Sequence, residues 1–245
     1  MSLPFFLATL RPGLAAGEEV TLSGEEAHHA LVRRTRVGER VVLTDGAGTV
    51  AECTVLAADR KALRAAVESV DRRPPESPRL VVVQAIPKGE RGELAVEMLT
   101  EVGVDVIVPW AAARSVAVWR GERAAKALSR WRSTAREAAK QARRAWFPSV
   151  EEPASLSRVV ELVRSSSVPV VLHEAASGPL ADLPVPGRGE IVIVVGPEGG
   201  IATDELAAFA AAGAEPVRLG SSVLRTSTAG VAAAAALLAR TPRWR

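Results

Sequence analysis

Cysteine is almost missing from this sequence, because Cys53 is the single thiol in 245 residues. One thiol excludes an intrachain disulfide, and without further soft ligands it argues against structural zinc. Histidine is also scarce, and the three histidines, His28, His29 and His173, do not have a metal-binding spacing. We therefore expect no metal site, and we interpret Cys53 as a small buried apolar residue.

Long apolar runs are missing as well. No stretch reaches the roughly 18 apolar residues that would span a bilayer, and the opening MSLPFFLATLRPG has neither a basic start nor a long apolar core. We expect a cytoplasmic protein without a membrane partner. Hydrophobic residues still make up 48% of the chain, which is enough for a substantial core and excludes general disorder.

Several common catalytic motifs are absent. The sequence has no Gly-x-x-x-x-Gly-Lys-Ser/Thr loop, which argues against nucleoside triphosphate hydrolysis, and no Gly-x-Ser-x-Gly nucleophile elbow. The segment VVLTDGAG, residues 41–48, has neither the third glycine nor the following helix of a dinucleotide-binding turn. We interpret it as a β-hairpin.

Net charge is low, at +3, but the positive charge is concentrated in one region. Between Arg114 and Arg144 there are ten basic residues and two acidic ones, Glu122 and Glu137. A solvated helix face is the ordinary explanation of such a pattern. The scarcity of acids favours a polyanionic partner instead, and nucleic acid is the partner we expect.

The chain divides at the proline-rich segment DRRPPESPR, residues 71–79. We predict a small β module over residues 1–72, a linker over 73–79 and an α/β domain over 80–245. The β module has candidate strands at 41–44, 49–56 and 63–70 and a helix near 25–34. The α/β domain has candidate strands at 80–86, 104–110, 168–174, 191–195 and 216–219, and candidate helices at 90–102, 122–145, 156–165, 204–212 and 227–239. Apolar runs alternating with helices indicate a parallel sheet covered on both faces.

The predicted helix 122–145 has one apolar stripe. The stripe contains Ala124, Leu128, Trp131, Ala135, Ala138 and Ala142, whereas Arg123, Lys126, Arg130, Lys140 and Arg144 lie away from it. Trp131 is therefore expected in the core, which leaves Trp119 and Trp146 as the tryptophans available to stack on bases.

Two loops follow strands of the predicted sheet. IVIVVGPEGGI, residues 191–201, ends a buried strand with a bare glycine turn, and ligands bind at such strand ends in parallel sheets. A purely structural turn is the alternative. The second loop lies in VRLGSSVLRTSTAGVAAAAALLAR, residues 217–240, where Thr226 or Ser227 could cap an alanine-rich helix able to pack closely on another backbone.

Five segments occur in the order and rough spacing of one known family: HHALVRRTRVGERVVLTDGAG, PKGERGELAVEMLTEVGVDVIVPW, REAAKQARR, VVGPEGGIATDE and LGSSVLRTSTA. By these motifs the sequence resembles the RsmE family of 16S ribosomal RNA uridine N3-methyltransferases, which belong to the SPOUT class. The resemblance covers nearly the whole chain. It implies an N-terminal PUA-like β-barrel that binds RNA and a C-terminal α/β domain with a parallel sheet and a trefoil knot. It further implies S-adenosylmethionine as cofactor and a homodimer with each cofactor pocket near the subunit interface.

The same resemblance implies a cofactor pocket made of three loops. These are Leu172, His173 and Glu174; Gly196, Pro197, Glu198, Gly199 and Gly200; and Leu219, Gly220, Ser221, Ser222, Val223, Leu224, Arg225 and Thr226. The family commonly has proline at the position of Ser221 or Ser222 and glutamate at that of Ser227, so no carboxylate role applies at 227 here. The expected partner is 16S ribosomal RNA or the small ribosomal subunit, with RNA contacts from His29, Arg33, Arg34, Arg36, Lys88, Arg91, Arg114, Arg136, Lys140 and Arg143.

Methylation at uridine N3 requires an unpaired base and removal of a proton. We expect Arg225 to stabilise the negative charge that develops on the uracil oxygens, with phosphate positioning as its alternative role. Glu198 is a candidate to orient the substrate or accept the proton, and it could equally fix the glycine turn. Two other readings of the chain stay open: a SPOUT methyltransferase for a ribose 2'-hydroxyl or another base, and a non-catalytic RNA-binding assembly factor.

Overall fold

The computed structural model describes residues 3–59 and 61–245, and their contacts divide them into two compact units. The first unit contains the described residues up to Pro75 together with Ala139–Phe147, and the second contains Glu76–Ala138 and Pro148–Arg245. The segment Ala139–Phe147 falls within our predicted C-terminal domain. It joins the first unit because the Phe147 amide donates to the Gly46 carbonyl and the Gly48 amide donates to the Ala145 carbonyl.

The first unit is built on a five-stranded sheet in the order β1-β3-β4-β5-β2. Its strands are β1 (Phe5–Leu7), β2 (Glu19–Ser23), β3 (Arg40–Thr44), β4 (Thr49–Ala58) and β5 (Ala62–Arg72). Neighbouring strands are antiparallel, except that β1 runs parallel to β3. Helix α1 (Gly24–Val32) contacts β1, β2 and β5, so it lies against both edge strands.

The segment DGAG forms the hairpin turn that the sequence predicts between β3 and β4. The Asp45 carboxylate accepts from the amides of Ala47, at 2.7 Å, and Thr49, at 2.9 Å. Gly46 and Gly48 have φ angles of 68° and 100°, a region in which glycine is favoured. The interpretation of residues 41–48 as a hairpin is therefore confirmed.

Cys53 lies on β4 inside the core of the first unit and has no solvent exposure. Burial, together with the nearby carboxylates of Glu68 and Glu52, raises the pKa of its thiol to about 11. The thiol is therefore protonated at neutral pH, which confirms the expectation that Cys53 acts as a small apolar residue.

The second unit is built on a seven-stranded sheet in the order β10-β12-β9-β11-β6-β7-β8, with every neighbouring pair parallel. Its strands are β6 (Arg79–Ala85), β7 (Val106–Trp110), β8 (Ser149–Val150), β9 (Val168–Leu172), β10 (Gly178–Pro179), β11 (Glu190–Val195) and β12 (Glu215–Arg218). Its helices are α2 (Arg91–Val102), α3 (Gly121–Gln141), α4 (Leu156–Ser165), α5 (Thr203–Ala211) and α6 (Thr226–Leu238). The predicted parallel sheet is confirmed.

Helices cover both faces of this sheet, as the continuous apolar strands predict. Apolar side chains of α2, α3 and α6 share one core cluster with the sheet, and those of α4 and α5 share the other. Trp131 of α3 is 2% exposed and lies in the first cluster, so its predicted place in the core is confirmed.

Helix α6 packs against α2, β6 and β11 at close range, which its small residues permit. A Cβ atom added at Gly230 would lie 3.2 Å from a Val195 methyl carbon and 3.3 Å from a Leu99 methyl carbon. The chain passes from β11 over β9 to reach β12 and then returns to place α6 on β11 and β6. This reversal brings the ends of β9, β11 and β12 together with the start of α6. The trefoil knot implied by the resemblance stays a prediction.

Two helices, α1 and α3, end more than one residue before the predicted end. Helix α3 ends at Gln141, not at Ala145, because Arg143 adopts a left-handed conformation with φ 56° and the Arg144 amide donates back to the Ala139 carbonyl. Helix α1 ends at Val32 in the same way, with Arg34 at φ 58°. Glycine or asparagine usually marks this ending, so an arginine there leaves no signal in the sequence.

Short elements with distant partners were not predicted. These are β1, β2, β8, β10 and the 3-10 turns Leu180–Asp182 and Pro242–Trp244. In the part of the chain that the structure describes, no helix combines the length and the apolar character needed to cross a membrane.

Candidate cofactor cleft and RNA-facing residues

The second unit contains a cleft of about 330 Å³ at the carboxyl ends of β9, β11 and β12, beside the first turn of α6. Parallel α/β sheets bind ligands at this edge. The predicted cofactor residues lie together around it, with the exception of Gly199. The sequence did not indicate four further lining residues: Val195, Ile201, Arg218 and Ala229. Val195, Arg218 and Ala229 belong to β11, β12 and α6, and Ile201 follows the glycine turn, positions where a sequence gives no signal of which side faces a ligand.

The glycine turn forms one wall of the cleft with backbone alone. A Cβ atom at Gly196 would lie 2.7 Å from Ile201 Cγ1, and Gly200 has a φ of 74°. Gly199 faces the other way, because its added Cβ would lie 3.1 Å from the carbonyl oxygen of Arg114. The role of Gly199 is therefore to let the 111–115 segment approach the turn, and its predicted place in the cofactor pocket is corrected.

Glu198 is exposed, and one of its carboxylate oxygens accepts a hydrogen bond from the Lys88 amide at 3.2 Å. Lys88 lies in the loop between β6 and α2, so this contact ties the glycine turn to a neighbouring loop. Of the roles expected for Glu198, this geometry favours fixing the turn.

A second tie joins the glycine turn to the start of α6. The Thr226 hydroxyl donates to the Gly196 carbonyl at 3.1 Å, and the buried Gln84 side chain donates to the Thr226 carbonyl at 3.3 Å. Thr226 is the first residue of α6 and Arg225 is its N-cap, without a side-chain capping bond. The expectation that Thr226 or Ser227 caps the helix is wrong, because the Thr226 hydroxyl holds the glycine turn instead.

Ser227 is 3% exposed and does not line the cleft. The serine that replaces the family's common glutamate at 227 is therefore buried outside the cleft lining. Ser221 and Ser222, where the family commonly has a proline, are exposed and line the cleft.

A buried carboxylate, Glu205, supports the same wall. It is 3% exposed, and its two oxygens accept from the Ala113 amide at 2.7 Å and the Ala202 amide at 3.0 Å. Ala113 precedes Arg114, whose main chain packs on Gly199. Sequence reasoning missed Glu205, although its position in the first turn of α5 is one where a carboxylate commonly reaches back to free amides.

The cleft also has a defined set of donors. His173 Nδ1 accepts from the Ala175 amide at 3.2 Å, which leaves Nε2 as the donating nitrogen of a neutral ring. Three arginines, Arg91, Arg218 and Arg225, line the cleft, and within the described residues none of their guanidinium groups forms a hydrogen bond or an ion pair. Arg91 was predicted as an RNA contact at the surface, and the structure places it half-buried at this cleft.

These residues fit S-adenosylmethionine. The volume lies within the range of about 300–1,000 Å³ typical of small-molecule sites. Bare backbone at Gly196 and Gly200 allows close approach of a flat base or a ribose. Apolar side chains such as Leu172, Val195 and Ile201 provide packing, and exposed carboxylates and guanidinium groups can pair with an amino-acid end.

Comparison with known proteins agrees with this geometry. Two family models match: an RNA methyltransferase domain over residues 75–238 and an RNA methyltransferase PUA domain over residues 22–68. The ribosomal RNA small subunit methyltransferase E of Mycobacterium bovis is 46% identical over 249 aligned positions, which cover 100% of this chain and 94% of that protein. The chain belongs to the ribosomal RNA small subunit methyltransferase E family.

Solved structures of similar proteins contain the cofactor. The ribosomal RNA small subunit methyltransferase E of Neisseria gonorrhoeae, bound to S-adenosyl methionine, is 30% identical with a TM-score of 0.86, over 98% of each chain. A methyltransferase from Legionella pneumophila with bound SAM is 28% identical with a TM-score of 0.88, over 98% of this chain and 99% of that one. The predicted fold class, family and cofactor are thereby confirmed for this member of the ribosomal RNA small subunit methyltransferase E family.

In the basic region between Arg114 and Arg144, several cations form ion pairs and are therefore less available to a polyanion than the sequence suggests. Arg130 pairs with Glu93 at 3.6 Å, Arg132 pairs with Glu152 at 3.1 Å and Arg136 pairs with Glu137 at 3.5 Å. Glu93 and Glu152, which lie outside the region, thus balance charges that a count along the sequence leaves unmatched. Among the described residues, the cations of this region without a partner are Arg120, Arg123 and Lys126, near the start of α3.

Lys140 is not available to RNA. Its side chain is 6% exposed, and its ammonium group donates to the Glu26 carboxylate at 2.7 Å. The prediction of Lys140 as an RNA contact on a solvated face is corrected, because the helix turns this residue into the first unit's interior beside α1.

The other predicted RNA contacts remain at surfaces of their own units. In the first unit, Arg33, Arg34, Arg36 and Arg143 are exposed, and His29 stacks edge-on against Phe6 with ring centroids 5.7 Å apart. In the second unit, Lys88 and Arg114 are exposed and Arg136 is half-buried. Arg143 donates to the Leu3 carbonyl at 2.9 Å, and Arg114 donates to the Gly199 carbonyl at 3.4 Å.

The two remaining tryptophans expected to stack on bases are both engaged. Trp119 packs edge-on against Trp131, with ring centroids 5.0 Å apart. The Trp146 ring nitrogen donates to the Arg73 carbonyl at 2.8 Å.

Proposed function

We propose that this chain transfers the methyl group of S-adenosylmethionine to N3 of a uridine in 16S ribosomal RNA, in the cytoplasm where small ribosomal subunits are made. Family membership supports this reaction. The observation that carries the proposal in this structure is the cleft itself, in which all three expected cofactor loops meet at the start of α6.

The cofactor supplies an electrophilic methyl group with a neutral leaving group. The residues of the chain have two tasks: to hold donor and acceptor in line, and to help remove the N3 proton. The glycine wall serves the first task, because the ties from Glu198 to Lys88 and from Thr226 to Gly196 fix its position before any ligand binds. N3 lies on the pairing edge of uracil, so the base has to leave its helix to reach the cleft.

Arg225 serves the second task. It is exposed at the cleft as the N-cap of α6, where the positive end of the helix adds to its own charge. Both favour the anionic uracil that forms when N3 loses its proton, with charge on the neighbouring carbonyl oxygens. Binding of a phosphate is the alternative role for this side chain.

The Arg225 proposal predicts a loss of rate. With saturating cofactor, Arg225→Ala should lower the methyl-transfer rate about 100-fold or more, as loss of a transition-state donor does elsewhere. Arg225→Lys should recover part of the rate, because it keeps the charge. Single-turnover assays with saturating RNA measure this step, and an unchanged rate in the alanine variant would assign Arg225 to phosphate binding.

We further propose that the RNA contacts come from Arg33, Arg34 and Arg36 in the first unit and from Lys88, Arg114, Arg120, Arg123 and Lys126 in the second. We also propose a homodimer. Val223 and Leu224, in the loop that lines the cleft, are 78% and 38% exposed, and large apolar side chains in a functional loop favour cover by a second chain.

Deletion of the gene in the source organism tests the target. Mass spectrometry of its small-subunit ribosomal RNA should show the loss of a single 3-methyluridine, and a plasmid copy should restore it. Loss of a ribose methylation instead would point to a different SPOUT target. An RNA with unchanged modifications would favour a non-catalytic role in ribosome assembly.

A further inference from the structure

The cleft is lined by more positively charged side chains than the single carboxylate of the cofactor can pair with. Arg91, Arg218 and Arg225 line it, against two carboxylates, Glu174 and Glu198, and Glu198 is already engaged by the Lys88 amide. S-adenosylmethionine carries an ammonium and a sulfonium, both positive, against one carboxylate. One cofactor carboxylate cannot pair with all three guanidinium groups, so the cleft has donors available for an additional anion.

Arg218 is the arginine among these for which the sequence predicted no role. It is the last residue of β12, and its side chain is exposed, whereas the preceding Val217 is buried in the alternation typical of a strand. Its neighbour on β10 is Pro179, which carries no charge. No described residue forms an ion pair or a side-chain hydrogen bond with it.

The backbone next to Arg218 fixes its position at the rim. The Val217 carbonyl accepts from the His173 amide at 2.9 Å, so the end of β12 is held against the loop that begins the cleft. Leu219 and Gly220 follow immediately and line the same cleft. Arg218 therefore lines the cleft from the end of a hydrogen-bonded β-strand, exposed and without an ion-pair partner among the described residues.

We propose that Arg218 binds a phosphate of the RNA strand next to the target nucleotide. The guanidinium group has the planar set of donors that suits a phosphate, and phosphate contacts fix the register of a nucleic acid on a protein. With Arg225 assigned to the base, Arg218 holds the backbone while the base enters the cleft. This inference rests on the proposed function in that the substrate is RNA.

The test compares Arg218→Ala and Arg218→Lys with Arg164→Ala. Arg164 is an exposed arginine in the last turn of α4, outside the cleft and likewise without a partner among the described residues. Binding of a fluorescent fragment of small-subunit ribosomal RNA is measured by anisotropy at several KCl concentrations, with S-adenosylhomocysteine present. Cofactor affinity is measured separately by calorimetry.

Arg218→Ala should weaken RNA binding about tenfold and lower the slope of log affinity against log salt by about 1, equally for two RNAs of unrelated sequence. Arg218→Lys should keep most of the salt slope, and Arg164→Ala should change neither quantity. Cofactor affinity should stay within about twofold in all three variants.

Two results would overturn the assignment. A tenfold loss of cofactor affinity with unchanged RNA binding would place the carboxylate of the cofactor on Arg218. RNA binding equal to wild type at every salt concentration would leave Arg218 with no ligand. The binding assay requires no methyl transfer, so its result does not depend on the target nucleotide. If the enzyme modifies a different nucleotide, the proposed target is contradicted, but a loss of RNA affinity in Arg218→Ala still supports the phosphate contact.

Discussion

Two glycines with positive φ angles, one in the cleft and one outside it, allow the effect of backbone strain to be separated from an effect on ligand binding. Gly200 lines the cleft with a φ of 74°, whereas Gly213, with a φ of 96°, ends α5 outside it. Neither added Cβ would meet protein at less than 4.0 Å, so strain at both positions comes from the backbone conformation. The two glycines form a matched pair for testing the cleft.

Substitution of Gly200 by alanine should therefore weaken cofactor binding. Both Gly200→Ala and Gly213→Ala should cost about 1–2 kcal/mol of stability, because an L-residue is strained in the left-handed region. Gly200→Ala alone should also lower the affinity for S-adenosylmethionine, since the strained turn lines the cleft. Calorimetry and urea unfolding measure the two effects, and equal cofactor affinity in both variants would remove Gly200 from the pocket.

Because Glu198 fixes the glycine turn as a hydrogen-bond acceptor, we expect that a neutral acceptor can replace it. Glu198→Gln keeps an oxygen for the Lys88 amide and should retain most of the methyl-transfer rate. Glu198→Ala loses the tie and should raise the Kd for cofactor with a smaller effect on the rate at saturation. If Glu198 accepts the N3 proton, the glutamine variant will instead be as inactive as the alanine variant.

The residue-level prediction from sequence was strongest where a loop acts through its own backbone. Gly196, Pro197 and Gly200 form a wall because glycine and proline determine local geometry wherever the chain runs. Lys140 and Arg130 show the opposite case. Their partners, Glu26 and Glu93, are distant in sequence, so no local count of charge could have paired them.

At the scale of elements, α5 and the 111–115 segment are joined by Glu205. Its carboxylate satisfies two amides that would otherwise lose their partners, and burial makes this contact costly to remove. The cleft wall therefore depends on α5, an element that does not itself line the cleft.

Removal of this carboxylate should destabilise the second unit and loosen the cleft. Glu205→Ala should lower the free energy of unfolding by about 1.5–3 kcal/mol, the range for hydrogen bonds to a charged group. Glu205→Gln keeps one acceptor and should fall between the alanine variant and wild type. Asp204→Ala, at the exposed neighbouring position, is the control. Urea unfolding measures the free energy of unfolding of all three variants. Equal values for Glu205→Ala and Asp204→Ala would contradict the role of Glu205.

Element ends were predictable where glycine stops a helix. Gly103 and Gly213 adopt positive φ after α2 and α5, and both predicted ends lie within one residue of the observed ones. Helices α1 and α3 are each followed by an arginine in this left-handed conformation, and their predicted ends lie beyond the observed ones. Strand β1 is three residues long and pairs with β3 far along the chain, a contact without a local pattern.

At the scale of the whole molecule, the sequence indicated both the mostly β first unit and the parallel sheet of the second. Alternation of apolar runs with amphipathic helices is a repeated signal over many residues, so errors at single positions do not change the fold. The return of Ala139–Phe147 to the first unit is different, because it depends on tertiary hydrogen bonds such as that between Phe147 and Gly46.

The proposed homodimer makes a prediction at this scale. Val223→Asp places a charge on the most exposed apolar side chain of the 219–226 loop and should shift the protein from twice the mass of one chain to the mass of a single chain. Leu56→Asp, at an exposed position of β4 in the first unit, should leave the mass unchanged. Sedimentation equilibrium measures both variants, and a wild type with the mass of one chain would contradict the dimer.

In the proposed reaction, the cleft between the glycine turn and α6 directs a methyl group to uridine N3. The most direct test of this reaction is to incubate the purified wild-type protein with unmodified small-subunit particles and methyl-labelled cofactor, digest the RNA to nucleosides and separate them by mass-resolved chromatography. We expect label in 3-methyluridine alone, at one site. Label in a 2'-O-methylated nucleoside, or none in RNA while cofactor binds, would contradict it.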